Sequence, residues 1–201
     1  MVEDRRVRKT KNAIKQAFIK LLAEKELERI TIQDITTLAD VNRGTFYLHY
    51  EDKYILLSDI EDEILAGLAD ETGTYKLGMQ DSTLEDFAKI FSEKILKNII
   101  LHIQKDIDFY LVIFKLDRKS HLEEKISELM YTNIAKNLGN KQNISGIPID
   151  YFHSYVSGAA ISFIKHWVQD NNRMEPDMVA DYLFKIIFNG PLRLIANEPY
   201  Q

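Results

Sequence analysis

The chain has 201 residues, of which 45% are hydrophobic and 28% are charged. This size and balance predict one large or two small globular domains with a core, and they exclude a disordered chain. Cysteine is absent, which excludes a disulfide scaffold, cysteine-ligated metal sites and thiol catalysis.

The net charge of −5 is unevenly distributed, because residues 1–50 carry +3 and residues 51–201 carry −8. The asymmetry indicates a basic head that meets a polyanion and an acidic body with another task, although a basic N-terminus is often only a solvated end. No apolar run is long enough to span a bilayer, and the first twenty residues lack the pattern of a signal peptide. We therefore expect a cytoplasmic protein with no membrane partner.

Apolar residues recur with the helical period along nearly the whole chain, which predicts an all-α fold of about nine helices and no strand. The first fifty residues predict three helices, with Thr31 and Asn42 as N-caps of the second and third. A long helix follows, from about Asp52 to Thr72. The predicted helices cover about 10–24, 32–39, 43–49, 52–72, 82–103, 107–116, 120–138, 149–169 and 175–188.

Two loops interrupt this helical pattern. The first covers residues 73–81 and is the best candidate domain boundary. The second covers residues 139–148, and Gly139 is well placed to cap the preceding helix. Gly190 and Pro191 are expected to break or kink the last helix.

Residues 31–50 read TIQDITTLADVNRGTFYLHY and predict a helix-turn-helix motif. Two short helices are separated by three residues, with apolar positions at 35, 38, 41, 46 and 50. Asp40 lies where the turn commonly adopts a positive φ, which aspartate tolerates. In such a motif the first helix crosses the phosphate backbone and the second enters the major groove.

The second helix of the motif is predicted to direct four polar side chains outward. Arg43 can donate two hydrogen bonds to guanine, which discriminates against a wrong base by about 1–3 kcal/mol. Thr45 can meet a thymine methyl group or a phosphate, while Tyr47 and His49 can donate to phosphate oxygens.

Two further features favour contact with DNA. Gly44 allows the backbone to approach the duplex closely. Lys53 and the free N–H groups at the start of the long helix can meet another phosphate.

These residues resemble those of the TetR/AcrR family of bacterial transcriptional regulators. The run GTFYLHYEDK is similar to the family signature, in which a Gly, Thr, aromatic, Tyr, x, His, aromatic run is followed by Lys three residues later. Two positions depart from the pattern, since Asp40 replaces the usual turn glycine and Thr36 replaces a small alanine. The matching residues are Thr31, Ile35, Ala39, Val41, Thr45, Phe46, Tyr47, His49, Tyr50, Lys53, Leu56 and Leu57.

The resemblance implies a DNA-binding domain over residues 1–51, a connecting helix over 52–72, and a regulatory and dimerisation domain over 73–201. It implies a homodimer formed through the helices at about 149–169 and 175–188, which binds a palindromic operator and senses a small molecule. The tail GAAISFIKHW is similar to a subset that includes regulators of dihydroxyacetone-kinase genes. The residues expected at the DNA interface are Thr31, Gln33, Asn42, Arg43, Gly44, Thr45, Tyr47, His49 and Lys53.

Six aromatic residues are candidates for a ligand pocket in the body, although aromatic stripes at helical spacing are more often core. The acidic run from Glu61 to Glu63 is interpreted as a solvated helix face. No catalytic group, metal site or cofactor is expected, because nucleophile, phosphate-loop and metal-ligand motifs are absent from the sequence. The six pocket candidates are Phe109, Tyr110, Phe114, Tyr151, Tyr155 and Trp167.

The sequence therefore predicts a DNA-binding regulator, with a repressor released by a small molecule as the favoured form. The alternative is a co-regulator of activator type, whose body binds a partner protein and no small ligand. An enzyme is the least supported class.

Overall fold

The computed structural model describes residues 5–73, 83–116, 120–138 and 141–196, and the regular secondary structure of this part of the chain is helical apart from one short hairpin. The fold class predicted from the sequence is therefore confirmed. The helices are α1 (Arg5–Glu24), α2 (Ile32–Ala39), α3 (Arg43–Tyr47), α4 (Lys53–Gly73), α5 (Leu84–Ile90), α6 (Lys97–Lys105), α7 (Ile107–Ile113), α8 (Leu122–Leu138), α9 (Ile149–Gln169), α10 (Pro176–Asn189) and α11 (Pro191–Ala196).

The chain divides into two compact units. The head unit comprises Met1–Ile64 and Leu111–His121, and the body unit comprises Leu65–Tyr110 and Leu122–Gln201. The division runs through α4, which is one continuous helix. The boundary expected in the loop over 73–81 lies, from residue 74 onward, outside the described residues.

The head unit has its core between α1, α2, α3 and the first half of α4. Ile35 of α2, Phe46 of α3 and Leu56 of α4 are fully buried. Each such side chain contributes about 1.5–3 kcal/mol through its removal from water. A 3-10 turn (Leu27–Arg29) connects α1 to α2. The buried stripe of α1 consists of Ile14, Ala17, Phe18, Leu21 and Leu22, as its helical period predicts.

In the acidic run on α4, Asp62 and Glu63 are exposed as predicted, but Glu61 differs from the prediction of a solvated face. Glu61 is buried, and its carboxylate accepts hydrogen bonds from the hydroxyl of Ser120 at 2.8 Å and from the backbone N–H of His121 at 3.1 Å. The interpretation was wrong for Glu61 because a segment about sixty residues further along the chain folds over it. Sequence periodicity carries no information about such a contact.

In the body unit, α10 packs against α6 and α9 packs against α8. The indole N–H of Trp167 is buried and donates to the backbone oxygen of Met174 at 2.9 Å. Val179 and Leu183 of α10 are also buried. Gly190, with φ of 78°, ends α10, and Pro191 opens α11, so the break expected at this pair is present.

Two local features of the body unit were not predicted. A π-helical segment (Phe91–Leu96) joins α5 to α6, where the sequence predicted one regular helix. In addition, β1 (Asn143–Ile144) pairs antiparallel with β2 (Ile147–Pro148), in a region predicted to be a loop. Strands of two residues are too short to show an alternating pattern. The expected cap Gly139 lies outside the described residues.

Among the described residues, no helix combines the length and apolarity needed to cross a bilayer. The same ranges contain no group of three or more acidic or histidine side chains placed to hold a metal ion.

Candidate nucleic-acid interface

The start of α2 is fixed by the side chains at its first turn. Thr31 is the N-cap, and its hydroxyl oxygen accepts the backbone N–H of Asp34 at 3.1 Å. The carboxylate of Asp34 in turn accepts the backbone N–H of Thr31 at 2.9 Å. The hydrogen bonds that this carboxylate accepts from the backbone N–H and the hydroxyl of Thr31 hold the pKa of Asp34 below its usual value. The reciprocal pair satisfies donors that would otherwise lack partners at a helix start.

The turn between α2 and α3 has the expected geometry. Asp40 adopts φ of 53° and ψ of 47°, the left-handed region. Asn42 then caps α3, because its side-chain oxygen accepts the backbone N–H of Thr45 at 2.7 Å. The same oxygen also accepts the Thr45 hydroxyl at 2.9 Å. A positive φ followed by an N-cap sets the direction in which α3 leaves α2.

Four residues form the exposed face of α3 and its C-cap. Arg43 and Tyr47 lie one turn apart in one row along the helix, and Gly44 and Leu48 form the neighbouring row. The Arg43 guanidinium lies 3.4 Å from the Tyr47 hydroxyl, so these two groups are presented together. Thr45 and His49, which were expected to point outward, are half-buried on the flank. Phe46 and Tyr50 are buried and attach α3 to the core.

Leu48 was not singled out by the sequence analysis. It is the C-cap of α3, and 81% of it is exposed. The sequence carried one signal, since Leu48 follows Gly44 by four residues and must share its row.

Lys53 has partners that the sequence did not predict. Its ammonium donates to the backbone oxygens of Leu27 at 2.8 Å, Glu28 at 3.0 Å and Ile30 at 2.8 Å. An ammonium has three N–H donors. While these hydrogen bonds are formed, Lys53 has no donor left for a phosphate, and it ties α4 to the turn before α2.

The start of α4 also differs from the expectation of free N–H groups. The side-chain oxygen of Asp52 accepts the backbone N–H groups of Tyr54 and Ile55, both at 2.8 Å. A carboxylate already occupies the position at which a phosphate was expected.

A charged network joins Tyr50, three residues after the end of α3, to α1 and α4 within the head unit. The hydroxyl of Tyr50 donates to the Asp59 carboxylate at 2.9 Å, and the ammonium of Lys15 lies 2.9 Å from the same carboxylate. Lys15 also pairs with Glu63. We call residues 43–50 the recognition segment, and the network holds the end of this segment against α4.

The network shifts the pKa of two of its members. Burial alone would raise the pKa of Asp59, but hydrogen bonds from Lys15 and Tyr50 outweigh it and lower that pKa. Burial would lower the pKa of Lys15, and the carboxylates of Glu63 and Asp59 raise it above its usual value.

The six aromatic candidates for a ligand pocket fall into two classes. Tyr151 and Tyr155 are 71% and 66% exposed on α9, so they lie apart from the buried aromatics. Burial, with a smaller effect from Asp106, raises the pKa of the Tyr110 hydroxyl. The buried members are Phe109, Tyr110, Phe114 and Trp167.

Two cavities among the described residues are open to solvent, and none of the six aromatic residues lines either of them. The cavity in the body unit measures about 280 Å³ and lies between α10 and the segment from Ser92 to Lys97. Its lining includes the ion pair of Lys97 and Asp177, whose charged atoms are 2.9 Å apart. The cavity in the head unit measures about 450 Å³ and lies between α1 and α4.

Comparison with known families finds two matches. Residues 14–60 match the family described as "Bacterial regulatory proteins, tetR family". Residues 92–189 match the family described as "Transcriptional regulator C-terminal region".

Similar proteins with a curated description are bacterial regulators. The uncharacterised HTH-type transcriptional regulator YerO of Bacillus subtilis (strain 168) is 26% identical over 192 residues, which covers 94% of this chain and 60% of YerO. The match to a second B. subtilis regulator, YxbF, covers 14% of that protein. The HTH-type dhaKLM operon transcriptional activator DhaS of Lactococcus lactis subsp. lactis (strain IL1403) is 26% identical over 141 residues, 69% of this chain and 75% of DhaS.

Among solved structures, a TetR transcriptional regulator from Streptococcus agalactiae 2603V superposes with a TM-score of 0.62. It is 28% identical in sequence, and the match covers 93% of this chain and 98% of that chain.

Proposed function

The chain belongs to the TetR family of DNA-binding transcriptional regulators, and we propose on that premise that it is a repressor that binds a palindromic operator as a homodimer and leaves it when a small molecule binds. Its place of action is then the cytoplasm, where the DNA is, and its role is regulation and not catalysis.

The exposed face of α3 is the observation that carries the proposal. Arg43 presents a guanidinium beside the Tyr47 hydroxyl, and Gly44 in the neighbouring row leaves room for the duplex to approach the backbone. Around this face, Thr31, Gln33 and Asn42 stand at or near the helix starts, where side chains commonly meet phosphates. In this reading Arg43 contacts a base, while Tyr47, Thr45 and His49 contact the backbone at the groove edge. Lys53 supports the interface by holding the turn before α2.

A homodimer is supported by the outward faces of α9 and α10. Tyr151 and Tyr155 lie one turn apart on α9, and the space next to the Cα of Gly158 is empty, which allows a second helix to approach. Met178 and Tyr182 lie one turn apart on α10 and are exposed. A homodimer of this kind binds the two half-sites of a palindrome, which lie about 34–36 Å apart on one side of the duplex.

Release by a ligand requires that α4 can move α3. One contact on α4 supports this, namely the hydrogen bond of Asp59 with Tyr50 at the end of the recognition segment. A small shift of α4 therefore acts on the end of the recognition segment, and the dimer loses its register with the two half-sites.

The experiment is a selection of genomic fragments with the purified full-length protein, followed by affinity measurement on the enriched duplex. A palindromic sequence with two half-sites is expected. Arg43→Ala should reduce the discrimination against a wrong base pair at one position per half-site by about 1–3 kcal/mol. Its effect on the affinity for random DNA should be smaller. Retention of random fragments alone, or no binding at low salt, contradicts the proposal.

A second candidate is an activator whose body binds a partner protein. Two observations favour it: the relative DhaS is described as an activator, and the cavity of the body unit is small and lined by charged groups. Drug-sized ligands commonly occupy mostly apolar pockets of about 300–1,000 Å³. Promoter fusions in a strain with and without the gene decide the sign, since reporter output rises on deletion for a repressor and falls for an activator.

A further inference from the structure

Leu48 lies on the exposed face of the recognition segment, which is the surface proposed to meet DNA, yet it has no polar group. Its backbone N–H donates to the oxygen of Gly44 at 3.1 Å, so the two residues occupy one row of the helix surface. A side chain at Gly44 would meet only the Asn42 oxygen, at 3.4 Å. A duplex that approaches the open row at Gly44 must therefore also cover Leu48.

The chemistry of a leucine side chain restricts what it can contact there. It neither donates nor accepts hydrogen bonds, so it gains only from an apolar surface that removes it from water. On the base edges of the major groove the one apolar group is the 5-methyl of thymine. Deoxyribose offers a second apolar surface, but it is the same for every base pair.

The neighbouring side chains are less suited to this contact. Thr45 has a methyl group, but the residue is half-buried and its hydroxyl is bonded to Asn42. Tyr47 is half exposed, and its hydroxyl lies beside the Arg43 guanidinium. Leu48 is the wholly apolar member of the exposed face of α3.

We propose that Leu48 is a specificity-determining residue, which selects a thymine in each half-site by packing against its 5-methyl group. The inference rests on the proposed operator binding and adds one base preference to that of Arg43. Burial of one methyl group corresponds to about a fourfold change in affinity per half-site.

The test removes the methyl group from each partner in turn. In the duplex enriched by the full-length protein, each thymine is replaced by deoxyuracil, which lacks only that methyl, at symmetric positions in both half-sites. We expect one position at which the wild-type protein loses about tenfold or slightly more in affinity. With Leu48→Ala the same replacement should have no effect, while Leu48→Met should restore part of it. Circular dichroism and the melting temperature check that these surface variants fold.

Matched variants identify the side chain responsible. Thr45→Ser removes a methyl group from the flank of α3, and Tyr47→Phe removes a hydroxyl from its face, so both should keep the sensitivity to deoxyuracil. The proposal is overturned if the sensitivity disappears with Thr45→Ser, if Leu48→Ala retains it, or if no thymine shows an effect. Equal weakening of all duplexes by Leu48→Ala would indicate a sugar contact and would also overturn it. If no duplex is enriched at all, the operator-binding function itself fails.

Discussion

A substitution at Gly44 separates the effect of this residue on stability from its effect on DNA binding. A Cβ atom there would meet only the Asn42 side-chain oxygen at an ordinary distance, and alanine favours a helix over glycine by about 1 kcal/mol. We expect Gly44→Ala to keep or raise the melting temperature. Because the added methyl group stands where the duplex approaches, affinity for the enriched operator should fall by about tenfold or more. Unchanged affinity would show that DNA does not approach the backbone at this row.

Lys53 gives a second test at the scale of one residue. Lys53→Met keeps the aliphatic stem but leaves three backbone oxygens without their donor, so the free energy of unfolding should fall by about 1–3 kcal/mol. Denaturant titration measures this loss. The slope of the logarithm of DNA affinity against the logarithm of salt concentration should stay unchanged. A slope smaller by about 1, with normal stability, would restore Lys53 to the phosphate contact that the sequence suggested.

The sequence predicted residues whose role depends on near neighbours in the chain. Asp40 at the turn and Asn42 at the start of α3 are of this kind, since backbone geometry and capping are decided within three residues. Lys53 was predicted to face DNA. Its backbone partners could not be predicted, because they, such as Ile30, are more than twenty residues away in the sequence. The position of Leu48 beside Gly44 could be derived from their four-residue spacing. Its role in DNA contact could not, because that role depends on which residues of α3 are exposed in the folded protein.

At the scale of the elements, the contact between α1 and α4 predicts an effect of pH. The pKa of Asp59 is lower in the folded protein than its usual value, so the stabilisation is present above about pH 4 and is lost as the pH falls through the folded pKa. We expect Asp59→Asn to reduce the pH dependence of unfolding between about pH 5 and pH 2. The gain at neutral pH is on the order of 1 kcal/mol or less, because this carboxylate is partly exposed and screened by solvent.

Tyr50→Phe serves as the matched variant for this network, since it removes one donor and leaves the Lys15 pair in place. Its midpoint of denaturation should vary with pH less than in the wild-type protein and more than in Asp59→Asn. Identical pH profiles for all three proteins would contradict the assigned role of Asp59.

The bounds of a helix can be predicted when they depend on its own capping residue and its own apolar stripe. The bounds of α2 follow from its cap and its apolar stripe, and they agree with the prediction. The π-helical segment did not follow, because a change in hydrogen-bond register leaves the apolar period almost unaltered over six residues. Glu61 shows the same limit, since a charged residue on a regular helix becomes buried only when a distant segment covers it.

At the scale of the whole molecule, the proposed dimer depends on the tyrosine face of α9. In Tyr155→Glu, two carboxylates would meet or lie close together across a two-fold axis. We expect monomers in size-exclusion chromatography with light scattering, and affinity for the palindrome about 100-fold lower because the two heads no longer act together. Leu101→Glu is the control, since Leu101 is also exposed but lies on α6. A dimer that survives Tyr155→Glu would place the interface elsewhere.

The left-handed turn at Asp40 also bears on how proteins of this kind are found by pattern. A signature that demands glycine between the two short helices rejects this chain, although the backbone there has the conformation for which glycine is usually chosen. Asparagine and aspartate reach the same dihedral angles at modest strain. A search that admits these three amino acids would therefore retrieve regulators that a glycine-only signature overlooks.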